Sequence, residues 1–150
     1  MTTGTGQTDD ETFIQQWASL LIPTGMPPIA ARINAHLLLS KEPIGLDDLV
    51  ERLGVSKSSA SVAARVLERY GIARRVTEAG TKRVRYEISG RCDGFLAEQI
   101  QLFESLARLL KSRSAHGDPE TRARFRDLSD FYLQLRDAMA GVYSASDGRS

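Results

Sequence analysis

Four serines and a lysine stand within six positions, Ser56, Lys57, Ser58, Ser59 and Ser61, followed closely by Val62 and Arg65. Serine is a mediocre helix former, yet the segment around it has helical spacing. Hydroxyls of this kind donate to or accept from phosphate oxygens and base edges. A lysine adds a point charge. An arginine can take guanine through two parallel hydrogen bonds, and a valine can meet the methyl group of thymine. A helix buried in a core has no use for Ser58, Ser59, Ser61 and Arg65 on one side. A helix lying in the major groove does, because small residues near its N-terminus let the backbone come close. The partial positive charge of that N-terminus also favours phosphate. A second basic pair, Lys82 and Arg83, lies in the turn AGTKR.

These side chains need a frame. A helix is expected over Asp9–Leu21, with Phe13, Trp17, Leu20 and Leu21 on one face. PTGMPP breaks it, and a second helix runs from Ile29 to Leu39 with Ile33 and Leu37 inward. SKEPIG reads as a turn. A third helix covers Leu46–Leu53, with Leu46, Leu49, Val50 and Leu53 toward the core, and Gly54 ends it. Ser56 is a natural N-cap for the fourth helix, which runs to Tyr70 before Gly71. Its inward face is narrow and made of Ala60, Ala64 and Leu67. Two helices joined by a tight glycine turn make a helix-turn-helix. Val76, and then Val84, Tyr86 and Ile88, suit two strands of a hairpin that turns through Gly80. Packed on the helices, that hairpin is the wing of a winged helix-turn-helix.

Past Gly94 the period is helical again. Leu96, Ile100, Phe103, Ala107 and Leu110 form one stripe, and Phe95, Leu102, Leu106 and Leu109 form a second. After the loop SRSAHGD, Asp118 caps and Pro119 opens a last helix, striped by Phe125, Leu128, Tyr132, Leu135, Met139 and Val142. This is more apolar surface than a small lobe can cover. Phe13, Trp17, Leu96, Ile100, Phe103, Leu110, Leu128, Tyr132 and Leu135 are therefore the candidate surface of a two-fold homodimer. The expected fold class is mainly α with a small β-hairpin: a winged helix-turn-helix lobe flanked by N- and C-terminal dimerisation helices. The expected organisation is a disordered tail over 1–8, an N-terminal helix over 9–28 joining the dimerisation region, and a DNA-binding domain over 29–90. C-terminal dimerisation helices follow over 91–143, then a flexible tail over 144–150.

Charge singles out the same region. The net charge is +1, but residues 56–91 hold nine basic and three acidic side chains. Residues 1–55 hold three basic and seven acidic, and residues 92–150 eight and nine. A polyanion would meet the middle segment. No run of about 18 apolar residues suggests a membrane span, and the polar, acidic start lacks the pattern of a signal peptide. The single cysteine, Cys92, excludes an internal disulfide. A cytoplasmic protein is expected.

The stretch PIGLDDLVERLGVSKSSASVAARVLERYGIARRV resembles the winged helix-turn-helix of MarR-type bacterial transcription regulators. With MPPIAARINAHLLLS ahead of it, it most resembles the GbsR-like branch, the regulators of glycine betaine synthesis. The likeness covers residues 13–90 and is clearest over Leu46–Val76. It implies a homodimer joined through its terminal helices, recognition helices in successive major grooves, and wing tips at the minor groove or backbone. By position, Ser58, Ser59, Ser61, Val62 and Arg65 match the recognition surface, and Lys82 and Arg83 the wing tip. The wing is short and lacks the Asp-Arg-Arg-rich segment common among these regulators. The resemblance also implies a small-molecule effector. A choline-like cation would want an aromatic cage, for which Trp17 and a few tyrosines are present.

Other reactive residue types point nowhere definite. Cys92 has Arg91 and Asp93 beside it, with opposite effects on a thiol. His36 lies among leucines, as core and boundary histidines do, and His116 has no second ligand at metal spacing. No phosphate loop, nucleophile elbow or HExxH motif occurs. No enzyme, metal or cofactor is expected. The expected function is a sequence-specific regulator, a repressor, on an inverted-repeat operator of double-stranded DNA. The alternative is a winged-helix protein-interaction module.

Overall fold

The computed structural model describes residues 3–90 and 92–147. The chain divides into two compact units between residues 91 and 92. In the first, α1 (Thr3–Leu21) and a 3-10 turn (Ile22–Thr24) lead to α2 (Pro28–Leu39), β1 (Ile44–Gly45) and α3 (Leu46–Leu53). Then come α4 (Lys57–Arg69), β2 (Ala73–Thr77) and β3 (Val84–Ile88). The second unit is α5 (Asp93–Arg113) and α6 (Pro119–Asp147). This is a winged helix-turn-helix followed by a helical hairpin.

The core of the first unit forms where α2, α3 and α4 meet the sheet. Ile33, Leu49, Leu67 and Tyr86 are its largest fully buried side chains. Ala60 and Ala64 are wholly buried on α4, the small residues that let it approach its neighbours. Leu49 and Leu53 face inward from α3, with Leu46 packed against the cluster.

Local chemistry sets both ends of α4. At its start the Ser56 hydroxyl accepts from the Ser59 amide at 3.1 Å. At its end the Ile72 amide donates to the Leu67 carbonyl and the Gly71 amide to Glu68, with Gly71 at φ 74°. That pair of bonds is a Schellman closure, and it needs a left-handed residue at position 71. Gly71→Ala should therefore destabilise the fold by about 1–2 kcal/mol in denaturant unfolding. An unchanged midpoint would show that the left-handed turn is not required. The Ser89 hydroxyl donates to the Gly71 carbonyl, and its amide donates to Ile72. Together they fasten the end of the hairpin to the end of α4.

The sheet has three antiparallel strands in the order β1-β3-β2. Ile44 stands opposite Tyr86, and Arg75 stands opposite Tyr86 from the other side. The expected turn over SKEPIG thus contains a strand, because Ile44 and Gly45 pair with residues some forty positions later. Helix α1 begins at Thr3, not Asp9, and α6 continues to Asp147, into the expected tail. A helix already nucleated by packed residues extends at little further cost per residue. The expected tail residues 1, 2 and 148–150 lie outside the described residues.

In the second unit, Asp118 accepts from the Thr121 amide and hydroxyl, both at 2.9 Å, and Pro119 opens α6 as expected. Those bonds hold the Asp118 carboxyl below its usual range. The Ser129 hydroxyl donates to the buried Ala107 carbonyl at 2.9 Å, and Phe103 stacks on Tyr132 at 5.8 Å. Among the described residues no helix is long and apolar enough to cross a membrane.

Candidate nucleic-acid interface

Helix α4 presents two faces. Ala60, Ala63, Ala64 and Leu67 are buried; Lys57, Ser58, Val62, Arg65 and Arg69 are exposed. Val62 leaves 63% of its surface open, which is unusual for valine and suits an apolar contact outside the chain. It forms the lip of an apolar groove of about 340 Å³ between α4 and the start of α2, shared with Pro27, Pro28 and Ile29.

The serines divide by role. Ser56 is engaged in capping: besides accepting from the Ser59 amide, its hydroxyl donates to the Ser59 hydroxyl at 2.8 Å and shares a hydrogen bond with Ser58 at 3.2 Å. Ser59 is half-buried beneath it. Ser58 is exposed and Ser61 half-buried, and neither is the acceptor of the capping bond.

The basic residues divide as well. Arg74 is paired with Glu87, directly opposite it across the strands, and Arg85 with Glu78 at 2.7 Å. Arg75 reaches Glu68 at 3.7 Å. Arg69 lies over the Tyr70 ring at 5.0 Å. Arg65, Lys82 and Arg83 form no ion pair among the described residues, and all three are exposed. Lys57 approaches Asp47 at 3.5 Å, with both side chains largely open to solvent. Such a surface pair contributes at most about 1 kcal/mol, so phosphate could displace it. Among the described residues, the strand arginines Arg74, Arg75 and Arg85 are paired with carboxylates, while Arg65 on the recognition face and Lys82 and Arg83 at the wing tip are not.

Sequence spacing missed one feature of that tip. Lys82 and Arg83 share a cleft of about 860 Å³ with Asp47 and Asp48, at the start of α3. The acids are some 35 positions away along the chain, and only the pairing of β1 with β3 brings them close.

The candidate dimer residues are placed within their own units. Phe13 and Trp17 stack on one another at 5.7 Å, and the Trp17 indole N–H is buried without an acceptor among the described residues. Leu96, Ile100, Phe103, Leu110, Tyr132 and Leu135 are half-buried, and Leu128 is 42% exposed. The most open apolar side chains of the second unit are Leu109, at 69%, and Leu102 from the second stripe of α5, with Val142 and Phe131 of α6. The second stripe was visible in the sequence. Its outward direction was not, because either stripe of α5 could have faced α6.

Cys92 is exposed at left-handed φ 52°, and burial, then the Asp93 carboxylate, push its thiol up. That is the wrong direction for a reactive thiolate. His36 is half-buried; burial, then Arg52 and Arg32, lower its pKa. No group of three or more His, Cys, Asp or Glu able to hold a metal occurs among the described residues.

No protein-family profile matches the chain. It is similar to YvaV of Bacillus subtilis (strain 168), whose name places it among candidate HTH-type transcriptional regulators. The two are 29% identical over 79 residues, which cover 53% of this chain and 45% of that protein. A solved crystal structure of a transcriptional regulator shares its fold, with a TM-score of 0.76 and 19% identity over 94% of this chain and 99% of that one.

Proposed function

We propose that the chain is a sequence-specific, double-stranded-DNA-binding transcriptional regulator of the MarR type, GbsR-like branch, without enzymatic activity. It acts in the cytoplasm as a homodimer and represses by occupying an inverted-repeat operator. The observation that carries the reading is the sorting of charge. Among the described residues of α4 and the hairpin, Arg65, Lys82 and Arg83 have no carboxylate partner, whereas Arg74, Arg75 and Arg85 each do. Within α4 and the hairpin, the cations left open are those of the recognition helix and the wing tip, where base edges and phosphates would meet them. Likeness to a helix-turn-helix regulator over part of the chain points the same way. The open apolar side chains Leu102, Leu109 and Phe131 support assembly through the second unit. The family resemblance adds a small-molecule effector that relieves repression.

Footprinting on the DNA upstream of the protein's own gene tests this. The expected result is protection of an inverted repeat with half-site centres about one helical turn, roughly 10 bp, apart. Light scattering at micromolar concentration should give a dimer. Protection of a single asymmetric half-site, or a monomer, would reject the two-fold arrangement. No shift on any DNA would leave the fold as a protein-interaction module.

A further inference from the structure

We propose that the cleft between α1, α2 and α3 is a binding site for a small oxyanion, a phosphate- or carboxylate-bearing molecule gripped by Arg32 and Arg52 beside His36. The proposal goes beyond the DNA-binding reading and does not depend on it, since no residue lining the cleft belongs to α4 or the wing.

The cleft has a volume of about 920 Å³, room for a ligand of ordinary metabolite size. Two helices bring these groups together: Arg32 and His36 come from α2, and Arg52 from α3. Arg32 and His36 are half-buried. Cations held in a concave, partly dry site ordinarily carry a carboxylate partner. Neither Arg32 nor Arg52 forms an ion pair among the described residues, although Lys57, Arg74, Arg75 and Arg85 in the same unit all do. The hydrogen bond that Arg32 makes is to the Leu53 carbonyl, at a long 3.4 Å. Guanidinium groups suit an oxyanion because they can donate two parallel hydrogen bonds.

A blander account exists. His36 and Arg52 lie in the last turns of α2 and α3, where cations answer the negative ends of the helix dipoles. A histidine governed by that effect is pushed up. His36 goes down, through burial first and then through Arg52 and Arg32. The two named charges acting on it are both positive. Asp10 and Glu11 on α1 also line the cleft, as does Lys41 after α2. With His36 neutral, the lining carries three positive and two negative charges, so the excess over Asp10 and Glu11 is a single positive charge. Ile14 and Leu39 add an apolar wall on which the body of a ligand can rest.

An oxyanion seated beside His36 favours the imidazolium and raises its pKa. By linkage, affinity is then greatest below the free protein's lowered His36 pKa and falls as pH rises through the bound value. The test follows the imidazole nitrogens of His36 by NMR in the full chain, with His116 as an internal control. Inorganic phosphate and hexanoate are titrated in separately, each against sodium chloride at matched ionic strength. The expected result is a saturable shift confined to His36, with its titration midpoint moving upward. Arg52→Gln, a change at an exposed position, should weaken binding about tenfold or more. Saturation by phosphate alone assigns a phosphate-bearing ligand. Saturation by hexanoate alone assigns a carboxylate with an apolar body. Shifts no larger than those of chloride, or unaltered affinity in Arg52→Gln, would overturn the site.

Discussion

Arg65→Ala should weaken operator binding by about 1–3 kcal/mol per half-site, and so by up to about 2–6 kcal/mol for a two-fold dimer. Arg65 is exposed on α4, two turns in from the Ser56 cap, and among the described residues no carboxylate holds it. An arginine so placed is free to donate both arms to guanine. The loss arises because the base edge then lacks its partner while the remaining contacts still exclude water. Random DNA should bind the variant almost as well as the parent protein, since a base contact carries sequence information and a phosphate contact does not. Gel-shift titrations on operator and scrambled DNA at one fixed salt concentration separate the two. Equal losses on both would reassign Arg65 to the phosphate backbone.

Lys82→Ala combined with Arg83→Ala should act differently, weakening operator and random DNA alike. Each wing tip offers two unpaired cations, and a dimer has two wings. Removing up to four phosphate contacts should make the slope of log affinity against log salt shallower by up to about 3–4 units. Over a fourfold change in salt, that slope difference amounts to roughly a hundredfold in affinity. Asp47 and Asp48 share the cleft with these cations, which favours an outward reach to the backbone over deep insertion. If the tips instead entered a narrow minor groove, A·T-rich flanks would bind more tightly and the double variant would lose that preference. An unchanged salt slope in a folded variant would remove the wing from the interface.

Much of this was legible in the chain because its signals are local. The Ser56 cap, the left-handed Gly54 and Gly71, and the Asp118-Pro119 start of α6 depend on neighbours within five positions. The buried alanines of α4 follow from spacing alone. What stayed hidden depends on distant partners. Ile44–Gly45 is too short to show any period and becomes a strand only against Tyr86 and Arg85. The pairing of Arg85 with Glu78, which removes it from the open cations, follows from how the two sides of the hairpin meet. The convergence of Arg32, His36 and Arg52 requires the packing of two helices, and nothing in their separation along the sequence announces it.

The small strand β1 has one more consequence. It joins the loop ahead of α3 to the central strand of the wing, while Ser89 fastens the far end of the same hairpin to the end of α4. The hairpin is clasped at both places and has little freedom to swing. The distance from recognition helix to wing tip is then a fixed length, like the jaws of a calliper set to one gauge. Because the entropy of orienting the tip is spent on folding, the second contact follows the first with little extra loss. Within a half-site, a changed base should remove its own contact and leave the rest in place. An inserted base pair between the helix footprint and the wing footprint should be far less tolerated, because it moves one contact out of reach of the other.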